Sequence, residues 1–513
     1  MKTITALLLT GLATAVSTSS ATAQDWPMWG RSPDRNMVGK GKDLPTDIHP
    51  GTLDDDTEAA VLDTAKNIKW AAKLGSQAYG NTVVTGGKVY IGTNNESPRD
   101  PKQKGDRGVL MAFNEKDGSF AWQLVIPKLG AGKVSDWEYV GLCSSPVVEG
   151  NRMWLVTNRG EVVCLDTEGM TNGNDGPFKD EATYQSAAKD GTPIEITPQS
   201  ADIIWIYDMR KELGIFPHNV SSCSPLIIGD QLYTATSNGV DWSHTNIPAP
   251  NSPALVALNK NTGKLTAEET SGVSTRVLHA SWSSPAYGKM KGKNTILWGG
   301  GDGFTYAFDP KPIKDEEGFD VFQERWKIDC NPDEYRTKDG KPIKYATYSG
   351  PSEVIGTAVL VNEHSYVIIG QDPEHGDGVG QVRCIGPDGK TKWSSTLDQD
   401  SEAFVGRSIS TLSVADGLVY AAEYDGDIHC FDAETGKHYW KHETQSRIWG
   451  STLVSDGKVW IGTEDGELHI LKAGKKLEAL NLIEFPAPIY SSAIVANNVV
   501  YVATQTHLYV IGK

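Results

Sequence analysis

The chain has 513 residues, 39% hydrophobic and 22% charged, a globular composition that excludes a disordered polymer. A net charge of -17 excludes the basic surface that nucleic-acid backbones require, so no nucleic-acid partner is expected. Beyond the N-terminus no run approaches the ~18 apolar residues of a membrane-spanning helix, and no transmembrane segment is expected.

Residues 1–23 combine Lys2, a short apolar run and Ala21-Thr22-Ala23, the layout of a cleavable secretory signal. The expectation is an exported protein, periplasmic or extracellular, with no Cys placed to carry a lipid. Residues 24–65 have no sustained period and are expected to form an irregular arm.

From residue 66 onward one phrase recurs. Each copy holds a short apolar run, a Gly or Asn turn and alternating strands. Eight copies align on Tyr90, Trp154, Tyr233, Leu297, Tyr366, Tyr420, Trp460 and Tyr501. The uninterrupted period of about 40 residues is that of a four-stranded propeller blade. Fourth strands end in Trp70, Trp122, Trp205, Trp326, Trp393 and Trp440, read as packing between blades. The matching residues are taken as Ala267 in the third copy and Glu478 in the seventh. The last copy stops after three strands, whereas KNIKWAAKL near residue 70 is an orphan fourth. Pairing them would remove an open edge. The expected fold is all-β: one eight-bladed propeller of four-stranded antiparallel blades over residues 66–513, closed by an N-terminal strand.

This pattern resembles the quinoprotein alcohol dehydrogenase-like propellers, the pyrroloquinoline quinone (PQQ) repeat family. It looks most like secreted planctomycete-type members, which often open on Trp-Pro-x-aromatic-Arg-Gly-Pro. Here the phrase is Trp26-Pro27-Met28-Trp29-Gly30-Arg31-Ser32-Pro33, with Gly and Arg reversed. A more distant similarity is to the propeller lipoproteins of outer-membrane assembly. For an enzyme, the resemblance implies PQQ with calcium and oxidation of an alcohol or sugar. The adjacent Cys pair common beside that cofactor is missing, and without a CxxCH site no haem is expected.

Cys164, Cys384 and Cys430 share one third-strand position where other copies have Ala, which points to small buried packing. Cys143 and Cys223 begin neighbouring inner strands, so a bridge between them and two free thiols both stay open. The turns Asp302-Gly303, Asp425-Gly426 and Asp465-Gly466 recur at blade spacing and are read as hairpin punctuation. The denser loop 371–381 offers Asp372, Glu374, His375 and Asp377 as candidate metal ligands.

Long insertions at 94–108, 126–142, 237–254, 328–352 and 371–380 fall on one rim, the usual binding face of a repeat ring. Residues ahead of the inner strands should encircle the funnel on that face. They are Trp137, Tyr139, His218, Asn219, Arg276, His279, Trp282, Tyr348, Arg407, Arg447, Trp449 and Tyr490, able to hold a planar anion or a sugar. Glu138 and Glu353 are candidate bases. Three functions stay open: a scaffold binding a protein or small molecule at the funnel face, a PQQ-dependent dehydrogenase, and a cell-envelope assembly scaffold.

Overall fold

Alternating apolar strands between Gly and Asn turns fold here into four-stranded antiparallel units. The computed structural model describes residues 24–186 and 192–513; the signal segment expected over 1–23 lies outside them. The first unit runs Val83–Thr85, Lys88–Asn94, Arg107–Asn114 and Phe120–Pro127 in spatial order, and the others repeat that order from a short inner strand outward. Among the described residues there are six separate four-stranded sheets and one eight-stranded sheet. The larger sheet arises because the fourth unit has a long outer hairpin, Phe304–Lys314 and Asp320–Asp329, and Val321 pairs in parallel with Glu268 of the third unit. The repeat pattern carries no sign of that splice.

One row of side chains explains much of the repeat. Tyr90 faces Ala112, which faces Trp122; Tyr420 faces Cys430, which faces Trp440. A small residue between two large rings keeps the row within the thickness of a sheet. Cys164, Cys384 and Cys430 are buried at this position, and all six cysteines are free, Cys143 and Cys223 included. The seventh unit corrects the alignment. Ile470 pairs with Asn481, so Asn481, not Glu478, stands at the Trp position, and the larger Ile470 replaces Ala or Cys.

The fourth-strand tryptophans bind the next unit. The indole N–H groups of Trp70, Trp122, Trp205, Trp393 and Trp440 donate to the carbonyls of Glu115, Thr167, Lys260, Ala433 and Gly474. Under the ring sits a turn glycine of that neighbour. A Cβ on Gly118 would lie 2.5 Å from Trp70, and one on Gly436 would lie 2.6 Å from Trp393.

Ile68–Lys73 pairs antiparallel with His507–Ile511, placing Trp70 opposite Val510. The segment before it is more ordered than an irregular arm suggests. Residues 24–41 lie along the inner strands and bond to one after another. Trp26 exchanges backbone hydrogen bonds with Val84, and Pro27 accepts from Val148. Pro33 and Asp34 accept from Tyr287 and Leu360, Met37 accepts from Val454, and the Asn36 side chain pairs with Val414. Gln24 accepts from Asn497 in the last unit. Arg35, fully buried, donates to the carbonyls of Trp29, Ser224, Pro225 and Pro285. Burial lowers its pKa to about 10, and the carbonyl cage replaces the water it has lost.

Candidate functional site

Two residues before each inner strand stands Asn81, Ser145, Ser224, Ser284, Thr357, Thr411, Ser451 or Ser492. They are joined around the channel. The backbone N–H of Ser145 donates to the Ser224 hydroxyl, Ser224 to Ser284, Thr357 to Thr411, Thr411 to Ser451, Ser451 to Ser492, and Ser492 to the Asn81 side chain. Trp29 of the arm donates its indole N–H to the Thr357 hydroxyl. Seven of the eight are Ser or Thr, and their side-chain oxygens, with that of Asn81, accept most of the links of this collar.

Above this collar opens a cavity of about 540 Å³, with Trp29 contributing from the arm side. Tyr79, Trp137, Trp282, Trp449 and Tyr490 supply aromatic walls; Gln77, Asn219, Glu138, Asp372 and Glu374 supply polar groups. Tyr79 and Tyr490 stack with centroids 4.9 Å apart, and Trp449 meets both edge-on or tilted while donating to Glu464. No Lys or Arg is among the residues lining the cavity.

Beside it, four histidines converge. His218 and His279 precede the inner strands of the third and fourth units; His244 and His375 come from the insertions at 237–254 and 371–380. Ring centroids are 4.3 Å apart for His218 and His279, 4.3 Å for His244 and His375, and 4.1 Å for His279 and His375. Gly239 makes the approach feasible: a Cβ there would lie 2.4 Å from the His279 carbonyl and 2.8 Å from the His218 Cβ. His244 and Asn219 have φ of 55°, a conformation that side chains rarely adopt and that collects at functional sites. Burial lowers the His218 pKa to about 4 and holds His279 well below the usual range, with neighbouring histidines adding to the effect. Glu353 is fully buried, and neither carboxylate oxygen makes a well-formed hydrogen bond. Burial, with Asp372 adding to it, raises its pKa well above normal against the pull of the Ala280 N–H.

The nominated residues therefore divide. Trp137, Glu138, Asn219, Trp282, Asp372, Glu374, Trp449 and Tyr490 line the cavity. His218, His279, His375 and Asp372 meet in the histidine cluster. The arginines are engaged elsewhere. Arg276 bonds Asp302 and Tyr306; Arg407 lies over Tyr424 and within 3.5 Å of Asp425; Arg447 is exposed and also lies over Tyr424. Asp377 is exposed, 3.8 Å from Arg407. Tyr139 and Tyr348 are exposed and do not line the cavity. Tyr79, Trp29 and His244 were missed, the last because a lone His in a Pro, Asn and Ser-rich loop has no periodic signal.

The sheets around a central cavity define a propeller-like, all-β fold. Residues 54–207 and 378–481 match the family model described as outer membrane protein assembly factor BamB. The chain belongs to this PQQ-like propeller family. A polyvinylalcohol dehydrogenase from a Sphingopyxis strain is 25% identical over 260 residues, 46% of this chain and 36% of that protein; the chain thus matches well under half the length of this relative. BamB from Moraxella catarrhalis superposes with a TM-score of 0.51 at 15% identity, over 86% of this chain and 96% of that one. A europium-containing methanol dehydrogenase gives 0.57 at 12%, over 96% and 98%. A quinohemoprotein alcohol dehydrogenase from Pseudomonas putida gives 0.57 at 12%, over 95% and 80%. These likenesses show the fold. Among the described residues no helix is long and apolar enough to cross a membrane.

Proposed function

We propose that the chain is an exported, closed eight-bladed propeller over residues 66–513 that binds a neutral, polyhydroxylated ligand, a sugar or polyol, in its central cavity. The observation that carries this reading is the lining. Aromatic faces with amides, hydroxyls and carboxylates suit C–H surfaces edged by hydroxyl groups. The activity named for the Sphingopyxis relative, dehydrogenation of a polyalcohol, supports the same ligand chemistry.

The cofactor implied by the dehydrogenase relatives fits these walls poorly. PQQ is a planar tricarboxylate, and Glu138, Asp372 and Glu374 would oppose it with no wall guanidinium or ammonium to answer the charge. The cavity is therefore read as a binding site without a step through that cofactor. An assembly role is the second reading, supported by the matched family model; protein contacts would then use the same loop-rich rim.

Titration calorimetry against a panel of oligosaccharides and polyols tests the proposal. Binding should weaken about tenfold in Trp449→Ala, as loss of one aromatic platform of roughly 1.4 kcal/mol requires. Tight uptake of PQQ with calcium, followed by dye reduction on an alcohol, would replace the reading with the dehydrogenase.

A further inference from the structure

The histidine cluster makes few side-chain hydrogen bonds to the fold around it. His218 places Nδ1 2.5 Å from the Val240 carbonyl. A carbonyl only accepts, so Nδ1 carries the proton and Nε2 is left with a free lone pair. That Nε2 is buried without a hydrogen-bond partner, as are both ring nitrogens of His279 and Nδ1 of His375, which lies 3.8 Å from Asp372. His218 and His279 are each 1% exposed. Four buried imidazole nitrogens without a protein hydrogen bond point to a further ligand between them.

Ligand atoms of His218, His244 and His279 lie within 4.8 Å of one another, and those of His279, Asp372 and His375 form a second such set sharing His279. Two other carboxylate-containing groups of this spacing have resident cations: Arg152 is paired with Asp166, and Lys441 with Asp427. Among the described residues, no Lys or Arg forms an ion pair with Asp372.

We propose that His218, His244, His279, His375 and Asp372 bind one late first-row divalent ion of the zinc or copper class. Neutral imidazoles with a single carboxylate match such ions, whereas calcium and magnesium take oxygen ligands almost alone. The Val240 carbonyl fixes the His218 tautomer, as outer partners of metal-bound histidines commonly do. The ion would join insertions 237–254 and 371–380 to the rigid inner-strand ends of the third and fourth units. Through Asp372 and Trp282, which meets the His279 ring edge-on at 4.9 Å, it would adjoin the cavity wall. The ion site stands whichever ligand the cavity takes.

The test uses the full mature chain, stripped with a chelator and titrated with zinc by calorimetry, with cobalt as a visible-absorption probe. About one zinc per chain is expected, with protection of the 237–254 loop from proteolysis. Because His244 and His375 sit on surface insertions, His244→Ala with His375→Ala should fold normally yet lose more than about 100-fold in zinc affinity, beyond the loss typical of outer-shell changes. His49→Ala, on the arm, serves as control. Zinc binding unchanged in the double variant would overturn the proposal, as would no stoichiometric uptake or a preference for calcium. Zinc uptake with no sugar binding would leave this site standing while the cavity reading fell.

Discussion

Gly239 shows how much of the site rests on a missing atom. It lets the chain pass between His218 and His279, where a methyl group would meet backbone and side chain at 2.4–2.8 Å. Gly239→Ala should therefore destabilise the protein by about 1–3 kcal/mol, as overpacking does, and lower zinc affinity at least tenfold. Urea denaturation and calorimetry on the same preparation would check both effects. At this scale legibility was uneven. His218, His279, Asp372 and His375 stood out because they lie at inner-strand ends or in a dense loop, but their sequence separations hide that they meet. The arginines stood out for the same positional reason, yet Asp302 and Tyr424, in neighbouring turns and strands, draw them away from the cavity.

Between neighbouring units the recurring joint is a tryptophan over a glycine. Trp122 is fully buried, and its N–H donates to the Thr167 carbonyl. Trp122→Ala should cost about 3–5 kcal/mol, the usual range for a large aromatic lost from a core, and leave that carbonyl with only the longer bond from the Tyr90 hydroxyl. A fall in the denaturation midpoint checks this. Exposed Leu482 of an outer strand provides a contrast: Leu482→Ala should shift it by less than about 0.5 kcal/mol. The repeating joint was legible in the sequence because it is periodic. What broke the period was not. The parallel pairing of Glu268 with Val321 depends on the reach of a single long hairpin, and the turn from Leu471 to Ala479 is one residue longer than those from Phe113 to Phe120 and Phe431 to His438, which brings Asn481 to the Trp position.

The seam between Ile68–Lys73 and His507–Ile511 joins the two ends of the repeat array, and a buried histidine lies within it. His507 is fully buried, and burial, with Lys73 adding to it, lowers its pKa to about 4 from 6.5. The unfolded chain therefore takes up the proton first. Stability is fully present above pH 6.5 and is lost as pH falls from there toward 4, at up to about 1.4 kcal/mol per pH unit from this group. Denaturation midpoints at pH 7, 5.5 and 4.5 should show a shallower acid slope in His507→Gln. The pairing of these two strands was legible from an orphan strand and a three-stranded final copy. The arm's course was not, because a segment that meets a different unit at almost every contact repeats none of them.

That course has a further consequence. Residues 24–41 bond to all the units: Gln24 to the last, Trp26 and Pro27 to the first two, Pro33 and Asp34 to the fourth and fifth, Asn36 and Met37 to the sixth and seventh, and Arg35 to the third. The segment therefore acts as a gauge. A chain with one unit deleted or duplicated could still zip its ends together, but the arm would run out of step with the strands it must meet. Arg35 would then lose its carbonyl cage. An engineered seven- or nine-unit version should thus fold less stably with residues 24–41 than without them, the reverse of the natural chain.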